Sequence, residues 1–366
     1  MAAHLRPFTS ESRAFRPAFA WTGERFERAP VITVDGSGTI VPYGGERIRD
    51  RAGVLVPGLI NAHTHLELPP VAAPPLLGLP TWVGLLRAGS PASVAQAGAG
   101  VFQSIFAGTA AVGEITNTLD STPVIRAAGL RAQVWHEFFG IDVDRVPPTA
   151  GRPTPHAPHT THPAVIQAAA SAPGPWSIHF DEDPEESIFL RTGAGAWLDF
   201  VVRVGRDLSK FPIPGVSPAR YLAGLGVLGP RSLLVHATCT RGADLDIVAE
   251  SGARVALCPR SNLHITGRLP DVEGMIGRGI PFCIGTDSLG SSPDLDVLAE
   301  AAVLARRFPD VGPEVWMRAL TTNGAAALGL PMGRLEGRPG VLLIDAPDIS
   351  SLFDGTRWRR RWLACP

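Results

Sequence analysis

The sequence predicts an α/β fold built on a parallel β-sheet, either open or closed into a (β/α)8 barrel. Strand-like and helix-like segments alternate over more than 200 residues, which indicates parallel strands joined by crossover helices. Several strand-like segments end in histidine or aspartate, and barrel enzymes carry their active sites at the carboxyl ends of the strands. The 366 residues suffice for one large barrel with an appended unit, or for about two domains.

The first part of the chain, residues 1–56, is typical of a small β unit. Two short extended segments, 31–34 and 39–41, flank the turn sequence Asp-Gly-Ser-Gly at 35–38, as in a hairpin. From residue 54 to residue 60 there is an apolar run, interrupted by Pro-Gly, that is too short for a helix. This run predicts a buried strand of the parallel sheet.

Predicted strands and helices alternate along the rest of the chain. Serine and proline at 292 and 293 predict the N-cap and first residue of a helix, and the proline-rich stretches 147–158 and 211–218 predict loops. The predicted strands are 110–115, 131–137, 176–179, 232–236, 254–258, 281–287 and 341–345, and two predicted helices are 93–106 and 244–250.

Composition argues against several classes of function. The net charge is −1 without a basic block, which argues against nucleic acid as a partner. No apolar stretch reaches 18 residues and the first residues lack the apolar core of a secretory signal, so we expect neither a membrane-spanning helix nor secretion. Four cysteines without Cys-x-x-Cys spacing give no sign of an oxidising compartment, so a cytoplasmic location is expected.

Four side chains of metal-ligand type fall at the ends of predicted strands. His63 and His65 follow the first apolar strand, His179 ends a later strand, and Asp287 ends the last of the set. Because residues i and i+2 of a strand point to the same face, the two imidazoles of His-Thr-His can bind one ion. Three imidazoles and one carboxylate suit Zn²⁺ or Fe²⁺. Each residue alone also fits a surface, capping or core role, but their shared placement predicts a metal site.

Two further residues are candidates for the chemical step. Glu182 lies three residues after His179, in the loop that follows the strand, and is placed to carry a proton from an attacking water to the substrate. The acids around it leave a solvated loop residue as the alternative. His236 ends the next predicted strand and is suited to orient the water or stabilise developing charge, with a satisfied core histidine as the alternative.

Five segments of the chain together resemble one family. They are the run ending in His-Thr-His-Leu-Glu at 56–67, His-Ala-Pro at 156–158, His-Phe-Asp-Glu at 179–182, Cys-Pro-Arg-Ser-Asn-Leu at 258–263 and Gly-Thr-Asp-Ser at 285–288. The chain resembles the amidohydrolase superfamily over about residues 53–332, in particular its branch of nucleoside and nucleobase deaminases and chlorohydrolases. This resemblance implies a (β/α)8 barrel over residues 57–332, with a small β-sandwich formed from residues 1–56 and 333–366.

The resemblance also implies roles for the candidate residues. The implied metal ligands are His63, His65, His179 and Asp287, and the implied catalytic residues are Glu182, His236 and Asp287. Binuclear members of the superfamily bridge two metals with a carboxylated lysine between the His-x-His motif and the next ligand histidine. The only lysine of this chain, Lys210, comes after His179. One divalent ion is therefore expected, Zn²⁺ first and Fe²⁺ as the alternative.

Five residues are candidate contacts for the substrate. By the same resemblance, Glu67 is a ligand for ribose hydroxyls, with an acid at the rim of the site as the alternative. His156 is a candidate contact for a ribose-linked or carboxylate-bearing part of the substrate, and Asn262 belongs to the Cys-Pro-Arg-Ser-Asn segment. Trp82 and Phe138 are candidate wall or stacking residues, although aromatic residues near strand ends also fit a core.

The His-Thr-His-Leu-Glu run and the segment 136–140 are most similar to aminodeoxyfutalosine deaminases. The expected activity is metal-dependent deamination of an adenine-type nucleoside, 6-amino-6-deoxyfutalosine, to futalosine and ammonia in menaquinone biosynthesis. Alternatives are a deaminase of S-adenosylhomocysteine or methylthioadenosine, another heteroaromatic amine or halide hydrolase, a cyclic amide hydrolase of the imidazolonepropionase type, or a catalytically silent binding protein. The expected partner is a small nucleoside-like molecule, not nucleic acid or a membrane, and a homodimer is allowed.

Overall fold

The computed structural model describes residues 12–366, and within them no helix has both the length and the apolar character needed to cross a membrane. The strands are β1 (Arg13–Trp21), β2 (Phe26–Arg28), β3 (Ile32–Val34), β4 (Ile40–Val41), β5 (Ile48–Pro57), β6 (Leu59–Thr64), β7 (Thr109–Thr116), β8 (Arg131–Phe138), β9 (Arg152–Pro155), β10 (Trp176–Phe180), β11 (Ser232–His236), β12 (Arg254–Leu257), β13 (Phe282–Ile284), β14 (Val341–Ile344) and β15 (Arg360–Ala364). The helices are α1 (Leu79–Ala88), α2 (Val94–Phe106), α3 (Ser121–Ala127), α4 (Pro163–Ser171), α5 (Pro184–Thr192), α6 (Ala196–Arg203), α7 (Pro218–Gly224), α8 (Ala243–Ser251), α9 (Pro259–Ile265), α10 (Val272–Gly277), α11 (Val297–Arg307), α12 (Pro313–Leu320) and α13 (Thr322–Leu328), with short 3-10 helices at Leu208–Lys210 and Ser350–Phe353.

Strands from the two ends of the described chain share one seven-stranded sheet. Its order is β15-β14-β5-β1-β3-β4, and β2 pairs with β1. Strand β14 runs antiparallel to β5, with Leu342 opposite Val56. Buried side chains such as Phe15 and Leu343 pack on this sheet. The short strands expected near residues 31–41 are present, and carboxyl-terminal strands join them.

The other strands form two parallel sheets that carry the candidate site. Their orders, β6-β7-β8-β9 and β10-β11-β12-β13, follow the sequence. Every residue of β6, β7, β10 and β11 is buried, as expected for parallel strands covered on both faces. The two sheets also contact each other: the His179 N–H donates to the His156 carbonyl at 2.8 Å, and Thr64 forms a parallel bridge with Asp287. The predicted α/β class with parallel strands is confirmed.

The apolar run predicted as one strand over residues 54–60 is two strands. Strand β5 ends at Pro57 in the seven-stranded sheet, and β6 begins at Leu59 in the first parallel sheet. Gly58 between them donates its N–H to the Gly340 carbonyl at 3.0 Å. A side chain at residue 58 would collide with Ala110, so glycine is required where the chain passes from one sheet to the other.

Strand β9 (Arg152–Pro155) lies inside the proline-rich stretch 147–158, which the sequence predicted as a loop. Proline has no N–H to donate and is rare within sheets, so the proline-rich composition of this stretch predicted a loop and not a strand. Strand β9 is at the edge of its hydrogen-bonded sheet and pairs there with β8 alone. The two prolines of β9 lack N–H donors, and an edge strand tolerates this because one of its sides has no ladder of hydrogen bonds to complete. The strand leads directly to His156, which lies at the site.

The helix expected to begin at residues 292 and 293 begins later, at Val297. Its N-cap is Asp296, whose carboxylate accepts the N–H of Leu298 at 3.0 Å. Ser292 instead donates its hydroxyl to the Thr286 carbonyl at 2.8 Å and thereby fixes the loop after β13. The prediction was wrong because serine followed by proline also suits a tight loop.

Candidate active site

Four side chains of metal-ligand type converge where β6, β10 and β13 end. His63 belongs to β6 and His65 follows it, His179 belongs to β10, and Asp287 lies just beyond β13. One ligand atom of each lies within 4.8 Å of the others, and all four residues are buried. The fold therefore brings together the four residues that the sequence singled out as ligands.

The geometry of this cluster fits a single divalent cation. Two ligand atoms bound tetrahedrally at about 2.1 Å from one ion lie roughly 3.4 Å apart. Nε2 of His65 lies 3.3 Å from Nε2 of His179, and Oδ1 of Asp287 lies 3.7 Å from Nε2 of His63 and 3.5 Å from Nε2 of His65. Neither ring nitrogen of His63 has a hydrogen-bond partner among residues 12–366, although the ring is fully buried. A bound cation would satisfy this otherwise costly group.

Hydrogen bonds to neighbouring residues orient the ligand atoms toward the centre of the cluster. Nδ1 of His179 donates to the carbonyl oxygen of His156 at 2.9 Å, which leaves Nε2 with the lone pair. Oδ2 of Asp287 accepts the hydroxyls of Ser261 at 2.7 Å and Ser291 at 2.6 Å. The other carboxylate oxygen, Oδ1, is therefore the one that faces the histidines.

The backbone of Asp287 is held directly by β6. Its N–H donates to the His63 carbonyl at 3.2 Å, and its own carbonyl accepts the Thr64 hydroxyl at 3.0 Å. The residue has a left-handed conformation with a φ of 59°, which aspartate tolerates better than most residues. Asp287 is thus fixed against the strand that carries the first two histidines.

Glu182 and His236 form a pair beside the cluster. Oε2 of Glu182 lies 3.4 Å from Nε2 of His236, and both residues line the same cavity as His65, His179 and Asp287. Burial, and then the neighbouring Asp287 carboxylate, raise the pKa of Glu182 well above its ordinary value, which suits a group that carries a proton. Burial also lowers the pKa of His236 well below its usual value, so this imidazole is neutral.

Asn262 contacts His236 and is not part of the cavity wall. Its amide Nδ2 lies 2.9 Å from Nδ1 of His236, and an amide nitrogen can only donate. Nδ1 of His236 therefore accepts, and the ring proton lies on Nε2, toward Glu182. The prediction of Asn262 as a substrate contact is not supported by this geometry, because the side chain is fully buried behind the histidine.

The cluster opens into a cavity of about 410 Å³. Two of the predicted substrate contacts, Trp82 and His156, line it. Phe138 does not, but Phe139 lines the cavity and stacks on the His156 ring with the centroids 4.2 Å apart. Phe138 instead packs against His136. The cavity is lined by the residue one position beyond the predicted Phe138, because successive side chains at a strand end point in different directions.

Glu67 is a structural residue in this geometry, which contradicts its predicted contact with ribose hydroxyls. The residue is fully buried and does not line the cavity. Its Oε1 accepts the N–H groups of Asn117 at 2.7 Å and Thr118 at 3.2 Å. Its Oε2 accepts the hydroxyls of Thr116 at 2.6 Å and Thr118 at 2.9 Å. Both oxygens are thus used to hold the loop after β7.

Glu137 and Asn117 line the cavity although the sequence predicted neither. Oε1 of Glu137 lies 3.4 Å from Nδ1 of His179, and Oε2 accepts the amide N–H of Asn117 at 3.0 Å. Within the described part of the chain Oε1 has no hydrogen-bond partner, and burial raises the pKa of this carboxyl group. The sequence did contain a signal for Glu137, because this residue ends the predicted strand 131–137. The candidate histidine ligands were recognised by the same kind of position.

Comparison with known proteins identifies the family. A profile of the amidohydrolase family matches residues 149–356. The chain is 30% identical over 322 residues to aminodeoxyfutalosine deaminase of Deinococcus radiodurans, an alignment that covers 79% of this chain and 76% of the relative. It is also 30% identical over 363 residues to a 5-methylthioadenosine/S-adenosylhomocysteine deaminase of Halobacterium salinarum, which covers 88% of this chain and 82% of the relative.

Solved structures share the fold. Aminofutalosine deaminase of Helicobacter pylori in complex with methylthio-coformycin superposes with a TM-score of 0.79 at 19% identity, over 96% of this chain and 98% of that one. An adenosine deaminase from Xanthomonas campestris with bound zinc superposes with a TM-score of 0.72 at 22% identity, over 95% of this chain and 90% of that one. With the cluster of ligand-type residues and the family match together, the chain belongs to the amidohydrolase family and is a hydrolase of C–N bonds other than peptide bonds.

Proposed function

We propose that this protein is a metal-dependent deaminase of an adenine-type nucleoside, with 6-amino-6-deoxyfutalosine as the substrate and futalosine and ammonia as the products. This activity would assign the protein to menaquinone biosynthesis. The proposal is supported by the paired Glu182 and His236 beside four ligand-type residues, and by relatives that are deaminases of nucleosides with an adenine base.

We also propose that the two parallel sheets close into one (β/α)8 barrel over residues 57–332, beside a small β-sandwich built from residues 12–56 and 333–366. Residues 1–11, which the sequence assigned to the same β unit, lie outside the described residues. Hydrogen bonds at both junctions of the two sheets support the closure. His179 and His156 join β10 to the residue after β9, and Thr64 and Asp287 join β6 to the segment after β13. The two solved deaminase structures share the overall fold of this chain, with TM-scores of 0.79 and 0.72.

One divalent ion would be held by His63, His65, His179 and Asp287. We propose Zn²⁺, and Fe²⁺ is compatible with the same ligands. When bound, such an ion acts as a Lewis acid that makes water acidic enough to attack near neutral pH. Burial lowers the pKa values of His65 and His179, so both rings are in the neutral form that binds metals. The only lysine, Lys210, lies exposed in a 3-10 helix, which supports a site for one ion.

The side chains would divide the proton transfers between them. Glu182 takes a proton from the attacking water as the oxygen bonds to C6, and gives this proton to the ring nitrogen N1. His236, whose proton is on Nε2, orients the water and stabilises the charge that develops on its oxygen. Asp287 moves the second proton from this oxygen to the amino group. The C6–N bond then breaks, ammonia leaves, and the base keeps a C6 carbonyl and an N1 proton.

The contact of 3.4 Å between Glu182 and His236 carries the proposal, and Glu182→Gln tests it. The variant keeps the shape of the side chain but cannot carry the proton, so we expect kcat to fall by about 10²–10⁴-fold with the metal content unchanged. Glu185→Gln, which alters a nearby acid in the first turn of α5 that accepts the N–H of Ala196, is the matched control. A metal-loaded Glu182→Gln protein that deaminates adenine nucleosides like the wild type would contradict the proposal.

The relatives make S-adenosylhomocysteine and methylthioadenosine the second candidate substrates. A panel containing these nucleosides, adenosine and 6-amino-6-deoxyfutalosine, followed by ammonia release, ranks them by kcat/KM. The same panel includes imidazolonepropionate, whose ring-opened product would indicate a cyclic amide hydrolase instead.

A further inference from the structure

The cavity extends from the ligand cluster along two helices. Four positions of α1 share the helical spacing i, i+3, i+4 and i+7, and four positions in and just after α6 share the same spacing. These residues all line the cavity, and they are Leu79, Trp82, Val83 and Leu86 from the first helix, and Trp197, Phe200, Val201 and Val204 from the second. The two helices pack closely at Gly84, where a Cβ would lie 3.9 Å from the ring of Phe200. The wall of the cavity is thus apolar and carries several aromatic rings.

Helix α1 begins beside the catalytic pair and leads away from it. Its first N–H, on Leu79, donates to Oδ2 of Asp183 at 2.9 Å, and Asp183 directly follows Glu182. Arg87 is eight residues further along the helix, which corresponds to roughly 12 Å at 1.5 Å per residue. Arg87 also lines the cavity, so a positive charge lies at the end of the apolar wall.

A second arginine lines the cavity near the end of the other helix. Arg206 follows α6 by three residues, and its Nη1 lies 3.2 Å from Oδ1 of Asp142, which does not line the cavity. A guanidinium has five N–H donors, so this contact leaves several for a ligand. Arg87 has no carboxylate within 4.0 Å among residues 12–366. The acids that line the cavity in the described chain are Glu137, Glu182 and Asp287, all beside the ligand cluster.

We propose that Arg87 and Arg206, with the ring of Phe200, form a subsite for an aromatic carboxylate carried on the 5′ side of the nucleoside. The inference rests on the proposed function and names the part of the substrate that sets specificity. Arginine binds carboxylates through paired N–H donors, and aromatic walls favour an aryl group over a flexible chain. 6-Amino-6-deoxyfutalosine carries a benzoate at this position. A methylthio group would leave Arg87 without a carboxylate partner and the remaining donors of Arg206 unused. The ammonium group of an amino-acid substituent would find no carboxylate of the cavity wall at this end.

The test compares 6-amino-6-deoxyfutalosine with its methyl ester, which removes the negative charge and keeps the ring. The wild type should prefer the acid in kcat/KM. Arg87→Met and Arg206→Met should each lower kcat/KM for the acid by about 10-fold, and together by about 100-fold, with little change for the ester. Lysine at either position should restore part of the preference. Arg191→Met alters an exposed arginine of α5 that does not line the cavity, and should leave kcat/KM for both substrates unchanged.

Equal losses for acid and ester, or no loss for the acid, would overturn the subsite. Calorimetric binding of the acid to the Glu182→Gln protein separates this inference from the proposed function. If the protein binds the acid but the wild type releases no ammonia, the proposed deamination fails. In that case the subsite still stands only if Arg87→Met and Arg206→Met together weaken binding of the acid by about 100-fold. An acid that does not bind at all overturns the subsite as well.

Discussion

The amide nitrogen of Asn262 lies 2.9 Å from Nδ1 of His236, and this contact determines which nitrogen of His236 carries the proton. The ring presents Nε2–H toward Oε2 of Glu182, at 3.4 Å. A histidine without this neighbour can rotate or exchange tautomers, and it then no longer offers a donor at the same point. Asn262 acts on the reaction through His236, and we regard it as a positioning residue.

Asn262→Ala should lower kcat by about 10- to 100-fold while KM changes little, because substrate contacts are retained and only the orientation of His236 is lost. Asn323→Ala is the control, since Asn323 makes one similar hydrogen bond, to the carbonyl of Phe282, away from the cavity. Steady-state kinetics on both variants distinguishes a residue that positions His236 from one that contacts the substrate. An increase in KM without a loss of kcat would instead indicate that Asn262 touches the substrate.

Glu67→Ala should reduce stability and leave KM unaltered in the protein that remains folded. The substitution removes the acceptor of four donors in residues 116–118, and only the Thr118 N–H keeps another acceptor, so we expect a loss of about 3 kcal/mol in the free energy of unfolding. Urea unfolding measures this loss, with Glu46→Ala, which removes a single acceptor for Gly44, as the control. A stable variant with a raised KM would support the ribose contact that the sequence suggested.

Phe139→Ala should raise KM for nucleosides by about fivefold, because its ring stacks on His156 at the cavity wall. Phe138→Ala is the matched variant, and we expect it to leave KM unchanged because its ring packs on His136 outside the wall. The two values of KM, measured under the same conditions, are compared directly. Equal effects would mean that both rings act through packing alone.

Metal analysis of the purified protein should give one divalent ion per chain. Lys210→Met should keep this ratio and full activity, because the lysine is exposed. His179→Ala should lose most of the metal. Chelation should lower both activity and the melting temperature, and zinc should restore both, because the buried His63 ring finds no hydrogen-bond partner in residues 12–366 and a metal ion would satisfy it. Two ions per chain, or loss of metal from Lys210→Met, would contradict this prediction.

Local sequence pattern was enough to identify the ligand-type residues. The spacing of His63 and His65 follows from the two-residue repeat of a strand, and His179 and Asp287 stand where apolar strands end. Both signals depend on neighbours in the chain. For the same reason, the predicted strands 232–236 and 254–258 agree with β11 and β12 to within one residue.

The roles of the other polar residues depended on contacts between distant segments. Glu67 looked like a substrate ligand because it follows the histidines, but the loop at 116–118 uses its whole carboxylate. Glu137 reaches the cavity instead, since β8 lies beside β9 and carries it toward His179. The sequence by itself thus determined which chemistry is available. Only the tertiary structure decided which side chains face the cavity, because hydrogen bonds and strand pairing across long separations fix their directions.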